Sequence, residues 1–467
     1  MKIALVQCPA WTTESPTYGL ALLTAALKKR GHEVLCFDFN IELYRFCKEQ
    51  QNQHRSVINE ESWSMDFRGS VWYEKDSVLN FINRFEVYID GLVELVVRSP
   101  VQIIGFSVQS TSKFFSLEFA RRIKEKDKNK TIVFGGHLCF RNCYGINMLK
   151  DFQFLDFVCF GEAEESFPDL VGRLEKNEHI ESYAGFGHCL KDGTIIDGGD
   201  GELIENLDEK PFADYSIFCL EKYTKSLLPI STSRGCINRC SFCNESPHWG
   251  RYRRRSAQNI LAEIMYQIEK YPHIEMFWFN DSLINGDIKM LNELCDLLIS
   301  NKIRINWGGQ GIICNEMKRE FLQKMKLAGC SVISYGVESG STKLLRLMQK
   351  KYTAELSEEV IRNTFKTGIS VIFNIIVGFP SETENEFKKT RDFIRHCRKY
   401  ASHIELVSLL LLKDSYLYNN LEKFNIAPME SNDSDWQLKW KTNDNLNTYS
   451  IRKQRLEELK KIMEEAF

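Results

Sequence analysis

The chain has 467 residues, 43% of them apolar and 27% charged. That balance belongs to a protein that buries a core and excludes a disordered chain or a fibre, and the length calls for two or three domains. Lys and Arg number 61 against 63 Asp and Glu, a formal net charge of −2, which argues against a strongly basic nucleic-acid surface.

Residues 1–7, Met-Lys-Ile-Ala-Leu-Val-Gln, lack the charged start, long apolar centre and cleavage site of a secretion signal and read as a strand. No apolar stretch approaches the roughly 20 residues of a membrane span; the richest, 407–412, is far too short. A cytoplasmic protein with no membrane span is the expectation. Strand-like runs follow at 33–39, 101–108, 131–134 and 154–160. Between them, 18–30 carries leucines at helical spacing with Gly31 as its stop, and 117–126 forms a second crossover helix. Strands alternating with helices predict a doubly wound parallel sheet, whose ligands bind at the carboxyl ends of the strands. Those ends carry Ser107, Thr111 and Ser112, then Gly135, Gly136 and His137, then Gly161 and Glu162. Glycine and small hydroxyl residues there let a flat ligand approach the backbone, although a glycine after a strand is also the ordinary turn residue.

Residues 172–225 are less regular and read as a linker, with a hairpin around 187–196. The alternation then restarts. Strands are expected at 228–233, 275–280, 303–307, 332–337, 371–377 and 404–411, with helices at 257–270, 289–300, 318–328, 357–367 and 384–399. Six strand–helix repeats predict a partial (β/α)6 barrel, whose working residues lie at strand C-termini. The last stretch, 416–467, contains Trp436 and Trp440 and ends in a charged amphipathic helix from 451. The expected α/β architecture is therefore an N-terminal Rossmann-like domain (1–171), a linker (172–225), a partial barrel (226–415) and a short, mainly helical C-terminal extension.

Fifteen cysteines run from Cys8 to Cys397 without a repeating framework, as buried free thiols of a reducing compartment would. Cys8, Cys139 and Cys143 fit that background. Cys236, Cys240 and Cys243 do not. They sit in Ser233-Arg234-Gly235-Cys236-Ile237-Asn238-Arg239-Cys240-Ser241-Phe242-Cys243, directly after the first barrel strand. Three thiolates are one short of the four that close a structural zinc or an ordinary iron–sulfur cluster, which implies a metal position left open. A zinc site completed by His248 or a distant cysteine is the alternative.

Cys-x3-Cys-x-aromatic-Cys in this position resembles the radical S-adenosylmethionine (radical SAM) superfamily. The preceding domain resembles the cobalamin-binding domain fused to one branch of it. Supporting runs are Tyr18-Gly19-Leu20, Gly31-His32-Glu33-Val34, Ile104-Gly105-Phe106-Ser107, Val133 to His137 and Gly161-Glu162-Ala163-Glu164, with Ser334 to Gly340 and Val377 to Thr383 in the barrel. The resemblance spans about 1–415. It implies that Cys236, Cys240 and Cys243 ligate three irons of a [4Fe-4S] cluster whose fourth iron takes SAM, reductively cleaved to a 5′-deoxyadenosyl radical. Phe242 would lie beside the adenine, with Val377 and Gly378 bordering it. Asn280, Asp281 and Ser282 stand where the family contacts the SAM amino group, without the usual Gly-Gly-Glu. Glu338 would meet ribose hydroxyls or the amino group. Residues 107–113 hold no histidine, which implies cobalamin bound without a protein histidine ligand; a domain that has lost cobalamin fits the same absence.

The activity so implied is methylation of an unactivated carbon of a small-molecule or lipid substrate, with flavodoxin or ferredoxin as electron donor. A radical cyclisation, rearrangement or oxidation, and a non-catalytic iron–sulfur or cobalamin-binding regulator, are the other readings. Several features stay open between function and structure. Arg251 to Arg255, before a helix that Ser256 is placed to cap, are either a solvated basic face or a holder of a carboxylate or phosphate. His137 is a cofactor contact or a local hydrogen bond. Trp307 and Gln310 are barrel-mouth contacts or core. Trp436 and Trp440 read as core of the extension, which could also cap the substrate pocket.

Overall fold

The computed structural model describes residues 1–52, 63, 71–190, 192–428 and 436–464. It divides into two compact units, Met1–Pro229 and Ile230–Phe467.

The first unit is built on β1 (Lys2–Gln7), β2 (Glu33–Asp38), β3 (Ile103–Ser107), β4 (Thr131–Gly135), β5 (Phe157–Cys159), β6 (Phe186–Cys189) and β7 (Ile195–Asp197). They form one sheet in the order β2-β1-β3-β4-β5-β6-β7, parallel from β2 to β5 and antiparallel through the last hairpin. Ile3, Ala4, Leu5 and Val6 are each 1% exposed or less, because a parallel strand covered on both faces needs a continuous apolar run. The helix Tyr18–Lys29 ends where expected. Gly31 takes φ +83°, its N–H bonds the Lys28 carbonyl, and the His32 N–H bonds that of Leu27, the double closure that only a left-handed residue allows. The hairpin expected near 187–196 is present, and it extends this sheet. Two amphipathic helices, Lys75–Arg84 and Glu86–Arg98, were not foreseen from the sequence. They bury Val78, Phe81, Ile82, Ile89, Val93 and Val96.

The division falls within β8 (Leu227–Ile230), which leads into a short antiparallel pair in the second unit, β9 (Ser233–Arg234) with β10 (Arg253–Arg254). Then come β11 (Met276–Phe279), β12 (Asn306–Gly311), β13 (Cys330–Glu338), β14 (Ser370–Val377) and β15 (His403–Ser408). The six-stranded sheet runs β15-β14-β13-β12-β11-β8, its neighbours being successive strands with helices in the crossovers, as the partial barrel requires. The helix Ala257–Lys270 starts at the expected cap, the Ser256 hydroxyl accepting the Asn259 N–H.

The third barrel strand corrects its predicted position. It begins at Asn306 rather than 303 and runs through Gly308, Gly309 and Gly311. Glycines weaken a strand on propensity alone. Here a Cβ on Gly308 would lie 2.5 Å from Val332 and one on Gly309 2.5 Å from Ile284, so close packing demands them. Trp307 resolves as core: it is fully buried, stacks on Phe279 at 5.0 Å and donates its Nε1–H to the Ala328 carbonyl.

The extension closes with the helix Tyr449–Glu464, packed against β14, β15 and the helix Glu384–Cys397. Trp440 is buried and donates to the Leu409 carbonyl. The Trp436 side chain and residues 465–467 lie outside the described residues. Among those described, no helix is long and apolar enough to cross a membrane.

Candidate active site

The cysteine loop leaves the barrel through β9. Gly235 follows at φ +77°, where a Cβ would lie 2.8 Å from the Arg251 carbonyl oxygen, so only glycine turns the chain into the loop. Beyond it the loop is fastened at its middle. The Ser241 N–H donates to Met348, the Leu417 N–H donates to Ser241, and the Ser241 hydroxyl donates to Leu347. Cys236, Cys240 and Cys243 are half-buried. Sγ of Cys236 accepts the Asn238 N–H at 3.4 Å and Sγ of Cys243 the Glu245 N–H at 3.5 Å. Burial raises the pKa of all three thiols, that of Cys243 to about 12. The metal-free loop therefore holds protonated thiols that ligation must deprotonate.

The entry to the loop is held by Asp281, the residue after Asn280 at the end of β11. Its Oδ1 accepts the Thr232 N–H at 2.9 Å, the Ser233 N–H at 2.5 Å and the Ser233 hydroxyl at 3.0 Å; Oδ2 accepts the Thr232 hydroxyl at 3.0 Å. Desolvation raises its pKa, and these bonds pull it back down. The carboxylate expected to meet SAM is thus turned into the protein, as a clamp on the strand end before Cys236. Ser282 donates to Glu245 at 2.7 Å, just beyond Cys243, and the Asn280 side chain is exposed.

Glu338 ends β13 with φ +70°, after a register shift between Gly336 and Glu338. A Cβ on Gly336 would lie 2.7 Å from its Oε1, so Gly336 makes room for the carboxylate. Glu338 accepts from Lys350 Nζ at 2.8 Å, both side chains at most 10% exposed. Burial lowers the Lys350 pKa, but Glu338, Tyr352 and Cys240 together more than offset it and keep the ammonium charged. Its charge also bears on Cys240, and it stands 5.5 Å from the Phe242 ring centroid. Sequence reading missed Lys350: it lies in an ordinary Lys-Lys-Tyr run, and only the fold brings it to Glu338 and the cysteine loop. Gln310 is exposed and pairs in register with Ser334. Val377 ends β14 and Gly378 follows it, both buried, and Gly378 takes φ +88°.

Three residues of the basic run are engaged within the protein. Arg255 pairs with buried Glu263, Arg254 pairs with Asp287, and Arg253 donates to the Trp249 carbonyl at 3.3 Å. Among the described residues no three His, Cys, Asp or Glu side chains, the three loop cysteines included, are gathered around one centre in the metal-free structure, and His248 lies 3.8 Å from Asp414.

In the first unit, the order reverses between β1 and β3, the place where doubly wound sheets bind ligands. The expected residues divide there. Ser107 and Gly135 pair in register and are half-buried; Gly136, His137 and Gly161 are exposed. Gly136 has φ +101°, and a Cβ there would meet the Val108 backbone at 2.9 Å. Thr111, Ser112 and Glu162 are buried and engaged internally. Thr111 donates to the Ala10 carbonyl at 2.6 Å, Ser112 accepts the Gln109 N–H at 2.9 Å, and Glu162 accepts the Ile204 N–H at 2.9 Å. The loop after β1, reached through Ala10, was not singled out from the sequence.

Residues 230–394 match the family model of the radical SAM superfamily. The chain is 26% identical over 326 residues to an uncharacterized methyltransferase of Pyrococcus horikoshii, covering 66% of this chain and 69% of that protein. The radical S-adenosylmethionine methyltransferase TsrM from Kitasatospora setae, solved with tryptophan substrate and a SAM analogue, superposes with TM-score 0.65 at 16% identity, over 89% of this chain and 74% of its own. The cobalamin-dependent S-adenosylmethionine radical enzyme OxsB, solved with aqua-cobalamin and SAM, gives 0.63 at 18% identity, over 98% of this chain and 61% of its own. The barrel thus matches the radical SAM superfamily over residues 230–394, and the fold of the chain is like that of TsrM and of the cobalamin-dependent radical enzyme OxsB.

Proposed function

We propose that the protein is a cobalamin-dependent radical SAM methyltransferase acting on an unactivated carbon of a small molecule or lipid, with flavodoxin or ferredoxin as electron donor. The observation that carries this is the loop of Cys236, Cys240 and Cys243, three thiols on one glycine-turned loop, one fewer than the four that would close a cluster. When bound, a [4Fe-4S] cluster supplies the electron that splits SAM into methionine and a 5′-deoxyadenosyl radical, and cobalamin supplies a carrier for the methyl group.

The chain's own residues position and shield. Cys236, Cys240 and Cys243 hold three irons, on a loop that Asp281 and Ser241 keep in place. Phe242, Val377 and Gly378 line the adenine. Glu338 receives the ribose or amino group, its orientation set by Lys350 and by the space left at Gly336. Asn280, Ser282 and Gln310 stand toward the mouth. In the first unit Ser107, Gly135, Gly136, His137 and Gly161 form a rim poor in side chains, suited to a flat corrin; Thr111, Ser112 and Glu162 support its loops from inside. The likeness to TsrM, a methyltransferase with this fold, supports methylation over other radical outcomes.

The test is anaerobic reconstitution with iron, sulfide and hydroxocobalamin, then metal analysis and turnover with SAM. About four irons and one cobalt per chain, with both S-adenosylhomocysteine and 5′-deoxyadenosine formed, are expected. Deoxyadenosine without the homocysteine product refutes methyl transfer and leaves a non-methylating radical enzyme. Cys240→Ala should abolish cluster and SAM cleavage while the first unit stays folded; SAM cleavage by that variant would overturn the cluster assignment.

A further inference from the structure

We propose that the C-terminal extension is a working wall of the SAM site, in which Asn447, Arg452 and Arg455 hold the loop Gly378 to Glu382 in the shape that meets adenosine. The inference rests on the reading above, which puts Val377 and Gly378 beside the adenine.

Every polar group of the Gly378 peptide is fixed by side chains. Its N–H donates to Glu382 Oε2 at 2.8 Å. Its carbonyl accepts Asn447 Nδ2 at 3.0 Å, and the same amide donates to the Phe379 carbonyl at 3.0 Å. Glu382, 4% exposed, receives Arg455 Nη1 at 2.9 Å, and that guanidinium also reaches the Glu382 carbonyl at 3.2 Å. Arg452 sets the orientation of Asn447 by donating to its Oδ1 at 3.0 Å. Its stem occupies the space where a Gly378 side chain would stand, 2.2 Å from an added Cβ.

These contacts are costly for mere attachment. Arg452 is fully buried and, among the described residues, pairs with Asn447 and the Leu438 and Trp440 carbonyls rather than with a carboxylate. It lies 4.0 Å over the Trp440 ring. Burying a guanidinium without a counter-charge is unfavourable, whereas apolar anchors for the tail already exist in Trp440, Leu459 and Ile462. The polar contacts of Asn447 and Arg455 converge instead on one short loop about 70 residues earlier in the chain, while Arg452 braces Asn447 and packs its stem on Gly378. Docking of the tail and shaping of the loop are therefore separable.

The experiment uses reconstituted wild type, Asn447→Ala and the conservative Arg455→Lys. It reads iron per chain, the electron paramagnetic resonance of the reduced cluster with and without SAM, and SAM affinity by equilibrium dialysis. In Asn447→Ala, iron content and the SAM-free spectrum should match wild type, while SAM affinity falls about tenfold, as loss of two buried hydrogen bonds implies, and the SAM-induced spectral change is weakened. Arg455→Lys should lose less. Equal SAM affinity in all three proteins overturns the proposal, as does an affinity that falls only in step with iron content. A wild type that takes up the cluster yet binds no SAM overturns the reading of the site itself, and the proposal with it.

Discussion

Asp281 offers the sharpest test of how the cluster loop is held. Replacing it with Ala removes the acceptor for two buried backbone donors, the Thr232 and Ser233 N–H groups, and for three hydroxyls, those of Ser231, Thr232 and Ser233. Each buried donor left unmade costs about 1–3 kcal/mol, so two cost about 4 kcal/mol. Part is returned because a carboxylate whose pKa burial has raised no longer has to be desolvated. A net loss of about 2–4 kcal/mol is expected for Asp281→Ala. Asp281→Asn keeps one acceptor oxygen and should lose about half as much. Ser233 lies three residues before Cys236, so slack here reaches the first ligand directly. Urea unfolding of the metal-free protein, followed through the second unit, gives the stability, and iron per chain after reconstitution gives the functional consequence. The order wild type, Asn, Ala should hold in both. An Ala variant within about 0.5 kcal/mol of wild type (the range of an inconsequential surface change) and with full iron would refute the clamp.

Lys350→Met leaves Glu338 as a buried, unpaired carboxylate and should cost about 3 kcal/mol. Adding Glu338→Gln should recover most of that loss, and a harmless single substitution would refute the pairing. Burial pushes Glu382 up to about 7, against pulls from Arg455 and the Gly378 N–H. A raised pKa means the folded state holds the proton after the unfolded chain, at an ordinary 4.5, has released it. Wild type should therefore lose about 2–3 kcal/mol relative to Glu382→Gln as pH rises from 5 to 8; a gap in unfolding free energy that does not change with pH would refute it. Gly136→Ala places a Cβ against the Val108 backbone in a left-handed conformation and should cost about 2 kcal/mol together with bound cobalt; full cobalt uptake would remove this rim from the corrin site.

Local patterns decided much of this protein. The spacing of Cys236, Cys240 and Cys243, the leucine period of 18–30 with its Gly31 stop, and the alternation of strands with helices through 411 are all written within a dozen residues each. Helical and strand periods, caps and turns depend on near neighbours, so they can be read without the fold. The helices at Lys75–Arg84 and Glu86–Arg98 were legible by the same rule and were overlooked.

What the sequence could not decide is which polar groups are free. Asp281 and Arg255 look available along the chain, yet one is used on the end of the first barrel strand and the other on Glu263. Glycines 308 and 309 look like a break, yet contact with Val332 and Ile284 makes them strand. Lys350 reaches Glu338 across a 12-residue gap, and Asn447 reaches Gly378 across 69. A buried charge or amide is stable only where partners converge on it, and partners so far apart in sequence are chosen by packing. The composition of the loops is thus local information, while their orientation belongs to the tertiary structure.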